Sequence, residues 1–419
     1  MSSVSDGAQA AAATALGGLR VLDLSGPMGN YAGELFADMG ADVILVESPA
    51  GTALRREPPF IDDVPGTERS LTFAYQNTSK RGICLNLDSP SGRRLLLELA
   101  ATADLVIETA PPGWMAMRDI GYEDLARIRQ QIVVASITPF GQSGPYSEMA
   151  ATDLVALATG GLLWMGGYQD AAPTQAHGDQ AFKCAAMYGA VAALLAVTDA
   201  ELTGQGQHVD VSMQESVTLA LENAAQTYDL EGVIRKRPPG DQRFAGYGLF
   251  ECKDGYIFLG SRGIGNSPAW SRSLQWFKDE GMEGADRLFG PEWSDLDYLK
   301  SAEAREVFGE LFLRWSRKHG KTWLYGEGQK RLIPLAPVNT PADLLDNPQL
   351  QARGFFVDFV HPLLERAAKM PGAPYVLSHT PWKIRRRAPL LGEHTAEVLS
   401  EIGISKEDLA RLFCAGVAA

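Results

Sequence analysis

The six residues Gln175-Ala176-His177-Gly178-Asp179-Gln180 set a carboxylate immediately ahead of a long apolar run. From residue 181 to 198 the only charge is Lys183, and the run is dense in Ala, Leu and Val, so it reads as a buried helix whose first turn begins at Asp179. An acidic residue in that place has two uses. As an N-cap it accepts backbone N–H bonds, and on local sequence the cap is the commoner assignment. As a nucleophile it would carry a covalent intermediate: Gly178 lets another backbone or a ligand come close, and the helix N-terminal amides favour the ionised carboxylate. Asp153 stands at the start of a second apolar helix that ends near Gly160-Gly161, so the same choice applies to it. Two such carboxylates can divide acid and base roles or serve as two caps, and caps are the commoner explanation.

The elements that must position these residues alternate. A strand over 19–24, a Gly-bearing turn Ser25-Gly26-Pro27-Met28-Gly29, a helix over 31–39 and a strand over 43–47 make a βαβ unit, which implies a parallel sheet with a right-handed crossover. Glu47 falls where a ribose-binding acid would stand in a dinucleotide fold, but Gly26, Gly29 and Gly33 do not fit G-x-G-x-x-G. Residues 48–72 hold four prolines and read as a long irregular loop of functional type. The alternation resumes with strands over 83–87, 104–108 and 132–136, and with helices over 89–100 and 122–129. A strand over 208–211 follows, in which His208 alternates with buried valines as a solvent-facing or capped histidine. This is a doubly wound, Rossmann-like α/β domain, with ligands expected in the loops after Leu24, Glu47, Glu108 and Ser136.

A length of 419 residues favours two domains over one. The composition changes at Arg235-Lys236-Arg237-Pro238-Pro239-Gly240, after one long helix over 214–230. Beyond it, strands over 247–252 and 256–260 flank the hairpin signal Asp254-Gly255, and a helical segment over 266–328 carries Trp270, Trp276, Trp293, Trp315 and Trp323 as the expected packing of a second core. The expected organisation is a leader over 1–15 without fixed structure, a large domain over 16–230, a small α+β middle domain over 231–330 and a final part over 331–419, with a strand over 335–338 and a last helix after Leu390.

A net charge of −13 argues against nucleic acid as a partner, and Arg385-Arg386-Arg387 reads as a solvated loop. Cys84, Cys184, Cys252 and Cys414 are scattered without metal-ligand spacing to the six histidines, so they read as reduced thiols of a cytoplasmic protein with no metal site. The leader lacks a basic start and an apolar core, and the 181–198 run falls short of a bilayer span, so no membrane partner is expected.

Stretches along the chain from Leu16 resemble family III CoA-transferases, the family of formyl-CoA, carnitine and other acyl-CoA transferases and of the α-methylacyl-CoA racemases. They are Gly18-Leu19-Arg20-Val21-Leu22-Asp23, Gly40-Ala41-Asp42-Val43-Ile44, Asn77-Thr78-Ser79-Lys80-Arg81, Gly141-Gln142-Ser143-Gly144-Pro145, residues 204–211 and residues 388–395. The resemblance implies a large α/β domain made from both chain ends, a small middle domain and an intertwined homodimer. It implies transfer of CoA from an acyl-CoA to a free carboxylic acid, with CoA thioesters as substrates and no tightly bound cofactor. The family's nucleophilic aspartate lies in a Gly-Asp pair before a buried helix, here Gly178-Asp179. The racemases' His-Asp pair is Thr152-Asp153 here, and the missing imidazole disfavours α-proton exchange. A CoA pocket is implied from Pro27 and Met28, from Lys80 and Arg81, and from Thr109 and Ala110 with Arg118 nearby; the three cations would suit nucleotide phosphates.

The sequence departs from the family in two places. Ser48-Pro49 follows Glu47 where some relatives carry an Arg that meets CoA, and the multi-glycine loop of formyl-CoA transferase is not reproduced, which disfavours formate and oxalate. For the acyl group the sequence leaves two readings: Phe244, Tyr247 and Trp270 suit a bulky apolar acid, and Arg235, Lys236, Arg243 and Arg262 suit a dicarboxylate such as succinate. Two further readings stand beside the transferase: a non-catalytic partner subunit of a heteromeric enzyme, and a racemase with Asp179 as a lone base.

Overall fold

The computed structural model describes residues 14–261 and 268–419; Arg262 and most of the leader lie outside them. The chain divides into two units. The first consists of the segment ending at Leu163, Gln175–Gly232 and Phe355–Ala419, and the second of Trp164–Thr174 and Val233–Gly354.

In the first unit the strands β1 (Arg20–Leu24), β2 (Asp42–Glu47), β3 (Arg81–Cys84), β4 (Leu105–Glu108), β5 (Val133–Thr138) and β6 (His208–Ser212) form one parallel sheet in the order β3-β2-β1-β4-β5-β6. Their unbroken apolar runs, such as Val43–Val46 and Val133–Ala135, follow from burial of both sheet faces. The helices are α1 (Asn30–Asp38), α2 (Leu71–Gln76), α3 (Pro90–Ala100), α4 (Tyr122–Ile128), α5 (Asp153–Thr159), α6 (Leu162–Met165), α7 (Gln180–Thr203), α8 (Met213–Leu219) and α9 (Ala224–Glu231). Two local signals show why such helices start and stop where they do. The Ser89 hydroxyl accepts the Gly92 N–H with Pro90 in the first turn of α3, and Gly204 closes α7 at φ +78°. The single helix expected over 214–230 is two, because Glu222 between α8 and α9 takes a left-handed φ of +51°.

Helix α7 has 24 residues and is long and apolar enough to cross a bilayer, contrary to the sequence expectation. It packs instead on β5, α1 and α8 with a face of small residues that includes Ala185, Ala186, Gly189, Ala193 and Ala196. Its large apolar residues, Met187, Val191, Leu195 and Leu202, face outward.

The second unit carries β7 (Gln242–Phe244), β8 (Tyr247–Cys252), β9 (Gly255–Gly260), α10 (Ala269–Asp279), α11 (Leu296–Leu299), α12 (Ala302–Ser316), α13 (Lys321–Lys330), β10 (Leu335–Val338), α14 (Pro341–Leu345) and α15 (Pro348–Ala352). The strands form an antiparallel sheet in the order β10-β9-β8-β7. The unit extends to Gly354 rather than 330 because β10 pairs with β9. Trp276, Trp293 and Trp315 lie in its core with Phe277, Phe308 and Phe312, whereas Trp323 is 37% exposed.

The chain then returns to the first unit through the hairpin β11 (Phe356–Phe359) and β12 (Ala368–Pro371) and the helices α16 (Thr395–Glu401) and α17 (Lys406–Cys414). The return is fastened to β3: the Thr395 hydroxyl accepts the Cys84 N–H at 3.1 Å, and Val398, Leu399 and Leu409 share a core with Ile83 and Leu85. Arg385 is no solvated loop residue, for its guanidinium donates to the carbonyls of Ala37 and Ala41.

Candidate active site

Neither of the two aspartates caps the helix it precedes or opens. The hydroxyl of Thr152 caps α5, and the carboxylate of Asp153, 5% exposed, reaches across to α7 and accepts the Phe182 N–H at 3.0 Å. Asp179 stands at the N-cap position of α7 and makes no side-chain cap bond. Among the described residues its carboxylate takes part in no hydrogen bond and no ion pair, and it is only partly buried. A partly buried carboxylate at the positive end of a long helix, with no partner among the described residues, is free to react.

Gly178 holds the turn before it at φ +77°, a conformation that disfavours a side chain. Two carboxyl groups respond to the charge at Asp179. Burial pushes Asp153 upward, opposed by the N–H groups of Phe182 and Ala181 and reinforced by Asp179. Burial also raises Glu57, and Asp179 adds to that shift. Glu57 lies in the 48–72 segment, which is ordered rather than irregular. Arg55, fully buried, bonds Glu47 at 2.7 and 2.8 Å, Glu68 at 2.8 Å and the Pro389 carbonyl at 3.0 Å, and lies 3.8 Å over the Phe73 ring. Both Glu47 oxygens are thereby engaged by Arg55, which withdraws this acid from any ribose.

A second feature of the same unit lies beyond the carboxyl ends of β1, β2 and β4, where a change of direction in the strand order opens a crevice. It is a cavity of about 280 Å³ whose walls include Leu24, Ser48, Leu87, Thr109, Ala110 and Trp114. The Thr109 hydroxyl accepts the Gly26 N–H at 2.8 Å, and a Cβ at Gly29 would collide with Ser25 and Thr109 at 2.6 and 2.7 Å, so the turn containing Pro27 and Met28 is stitched tightly to the loop after β4. Thr109 and Ala110 line the cavity; Pro27 and Met28 do not. At the rim the Arg118 guanidinium lies 3.9 Å over the Trp114 ring and bonds exposed Asp88 at 2.8 Å. A flat cationic platform beside a slot of mixed lining, apolar at Leu24, Leu87 and Trp114 and acidic at Glu47, Asp88 and Glu108, offers a purine a stacking face and its phosphates one cation.

The other two cations expected there are elsewhere. Lys80 is fully buried and gives its three protons to Asp23 at 2.7 Å, the Asn30 carbonyl at 2.7 Å and Asn77 at 2.8 Å, leaving none for a phosphate. Arg81 bonds Asp42, Glu397 and Glu401, tying β3 to β2 and to α16. The Asn77-to-Arg81 stretch is a structural clamp.

The model of CoA-transferase family III matches residues 16–395. The chain belongs to that family. It is 39% identical over 398 residues to the succinyl-CoA:(R)-benzylsuccinate CoA-transferase subunit BbsE of Thauera aromatica, covering 95% of this chain and 96% of that one. It is 30% identical to the succinate–glutarate CoA-transferase of Agrobacterium fabrum, covering 92% and 95%. The crystal structure of a CAIB/BAIF family protein from Brucella suis superposes with a TM-score of 0.81 at 29% identity, covering 93% of this chain and 99% of that one. As a family III transferase the chain is an enzyme that moves CoA between a thioester and a carboxylic acid. Within the first unit the structure places a carboxylate without a partner among the described residues and a cavity of about 280 Å³ beyond the carboxyl ends of the strands. Trp114, Asp88 and Glu57 escaped the sequence reading; the sole hint was an aromatic following Pro111-Pro112-Gly113 directly after a strand.

Proposed function

We propose that this transferase takes CoA from succinyl-CoA and gives it to a second dicarboxylic acid, with Asp179 carrying the acyl group between the half-reactions. The observation that carries the role of Asp179 is the exchange of duties at α7: Asp153 supplies the cap bond, so Asp179 keeps a free carboxylate at the helix mouth. The substrate class is supported by the names of the relatives, which pair succinyl-CoA or succinate with benzylsuccinate or glutarate.

An Asp179 oxygen attacks the thioester carbonyl, the C–S bond breaks, and CoA leaves as thiolate with a mixed anhydride on Asp179. The thiolate attacks the aspartyl carbonyl of that anhydride and expels the donor acid as carboxylate, leaving an aspartyl-CoA thioester. The acceptor carboxylate attacks this thioester and releases the thiolate, which then attacks the acceptor carbonyl and frees Asp179. No proton is consumed, and the thioester energy stays in enzyme-bound acyl groups. Asp153, protonation-favoured by burial, is held against the backbone of α7 and fixes where the nucleophile starts. The nucleotide end of CoA would occupy the slot at Thr109, Ala110 and Trp114, with Arg118 on its phosphates.

The outward apolar residues of α7 support association with a second copy of the chain as a homodimer, and the unpaired cysteines support a reducing cytoplasm. One relative's description as a subunit favours a second reading, in which a different chain completes the enzyme. Turnover by the purified chain alone separates the two. Asp179→Ala is expected to abolish transfer with the circular dichroism spectrum intact, and hydroxylamine quenching during turnover to modify Asp179; unchanged turnover in the variant refutes the assignment.

A further inference from the structure

One cation near Asp179 has no hydrogen bond and no ion pair among the described residues. Lys183 lies one helical turn into α7 from Asp179, and a Cβ added at Gly178 would sit 3.4 Å from its ammonium nitrogen. The ammonium is thus held against the backbone immediately before the reacting residue. Among the described residues no carboxylate oxygen lies within 4.0 Å of it, that of Asp179 included, and its side chain makes no hydrogen bond. The first turn of α7 contains no acidic residue to compensate it. A positive charge at the positively polarised end of a helix is disfavoured, and an unpaired one has no local gain to offset that. Of the basic residues that suited a dicarboxylate in the sequence, Arg235, Lys236 and Arg243 belong to the second unit and Arg262 lies outside the described residues.

We propose that the Lys183 ammonium receives the free carboxylate of a dicarboxylic acyl group while the other end of that group is bonded to Asp179. This rests on the reading of Asp179 as the acyl carrier. Side chains one turn apart on a helix lie on the same face, so a short diacid can span from the aspartyl carbonyl to the ammonium. Donor and acceptor acids occupy Asp179 in turn, so one lysine reads both. The enzyme is then selective for dicarboxylates in each half-reaction, and monocarboxylic acids leave Lys183 unpaired. The ion pair forms and dissociates without covalent change at Lys183.

The test compares succinyl-CoA with butyryl-CoA, which has the same chain length and lacks the terminal carboxylate, in the wild type, Lys183→Gln and Lys183→Arg. The ratio of kcat/KM for succinyl-CoA over butyryl-CoA is expected to fall roughly 10- to 100-fold in Lys183→Gln, the scale of a lost charged hydrogen bond, and to recover most of that in Lys183→Arg. An unchanged ratio, or an equal loss on both donors, which would mark Lys183 as a stabiliser of the oxyanion, overturns the proposal. The mass of acylated wild-type enzyme separates the two claims: an adduct on Asp179 with an unchanged ratio removes only the lysine's role, whereas no adduct on Asp179 from either donor removes both.

Discussion

Exchanging the roles expected of two aspartates has a measurable consequence. Asp153→Ala removes a buried acceptor that bonds the Phe182 N–H at 3.0 Å, and it leaves an amide in the first turn of α7 without a partner. Losing a cap of this kind costs about 1 to 2 kcal/mol of stability. Asp179→Ala removes no hydrogen bond and no ion pair among the described residues, and it takes away a negative charge that raises both Asp153 and Glu57. Its expected effect on stability is within about 0.5 kcal/mol of zero, the range of a surface change. Activity should respond in the opposite order, with complete loss at Asp179 and a partial one at Asp153. Urea unfolding at pH 7 followed by circular dichroism gives the first quantity, and the yield of hydroxylamine-trapped acyl-enzyme gives the second. A loss of stability in Asp179→Ala as large as that in Asp153→Ala would show that Asp179 is the cap after all, and the reasoning would fail.

Other expectations follow from the same structure. Lys80→Met leaves Asp23 buried without its cation, so it should cost about 3 to 5 kcal/mol of stability; the alternative, a raised KM for acyl-CoA in a normally stable protein, would return Lys80 to the phosphate site. Arg118→Ala should raise KM for acyl-CoA roughly 10-fold while raising it less for the dephospho form, since the platform on Trp114 loses its charge. Asp38 is raised by burial to about 6, partly offset by its hydrogen bonds to Ser79 and Thr78 and by Lys80 and Arg385. Because the folded value exceeds the unfolded one, this group's stabilisation is present at low pH and is lost as pH rises through 6. Between pH 5 and 7 it accounts for about 1 kcal/mol, so the urea midpoint of Asp38→Asn should fall less over that interval than that of the wild type; equal slopes would contradict the assignment.

The parallel sheet was legible because strands buried on both faces leave unbroken apolar runs, and a helix follows each at short range. The entrance of α7 was legible as a position: Gly178-Asp179 before an Ala-rich run marks a turn and a helix start. Its division of labour was not, since the cap comes from Asp153, 29 residues before the Phe182 whose N–H it accepts. The misplaced cations have the same origin. A lysine and an arginine in Asn77-Thr78-Ser79-Lys80-Arg81 look available until Asp23 arrives from β1 and Glu397 and Glu401 from the far end of the chain. Local sequence reports which residues carry charge, and long-range pairing decides which of those charges are left over. By that criterion Lys183, unpaired among the described residues, outlasts Lys80 and Arg81, and Arg118 stands between them with one exposed partner, Asp88.

The small-residue face of α7 makes the helix a lever. A single Cβ at Gly189 would sit 2.7 Å from Ile137 Cδ1 on β5, so growth there must push the rod away from the sheet. Such a displacement is transmitted along two and a half turns of rigid helix to its tip, so the placement of Asp179 can be tuned by packing far along the rod.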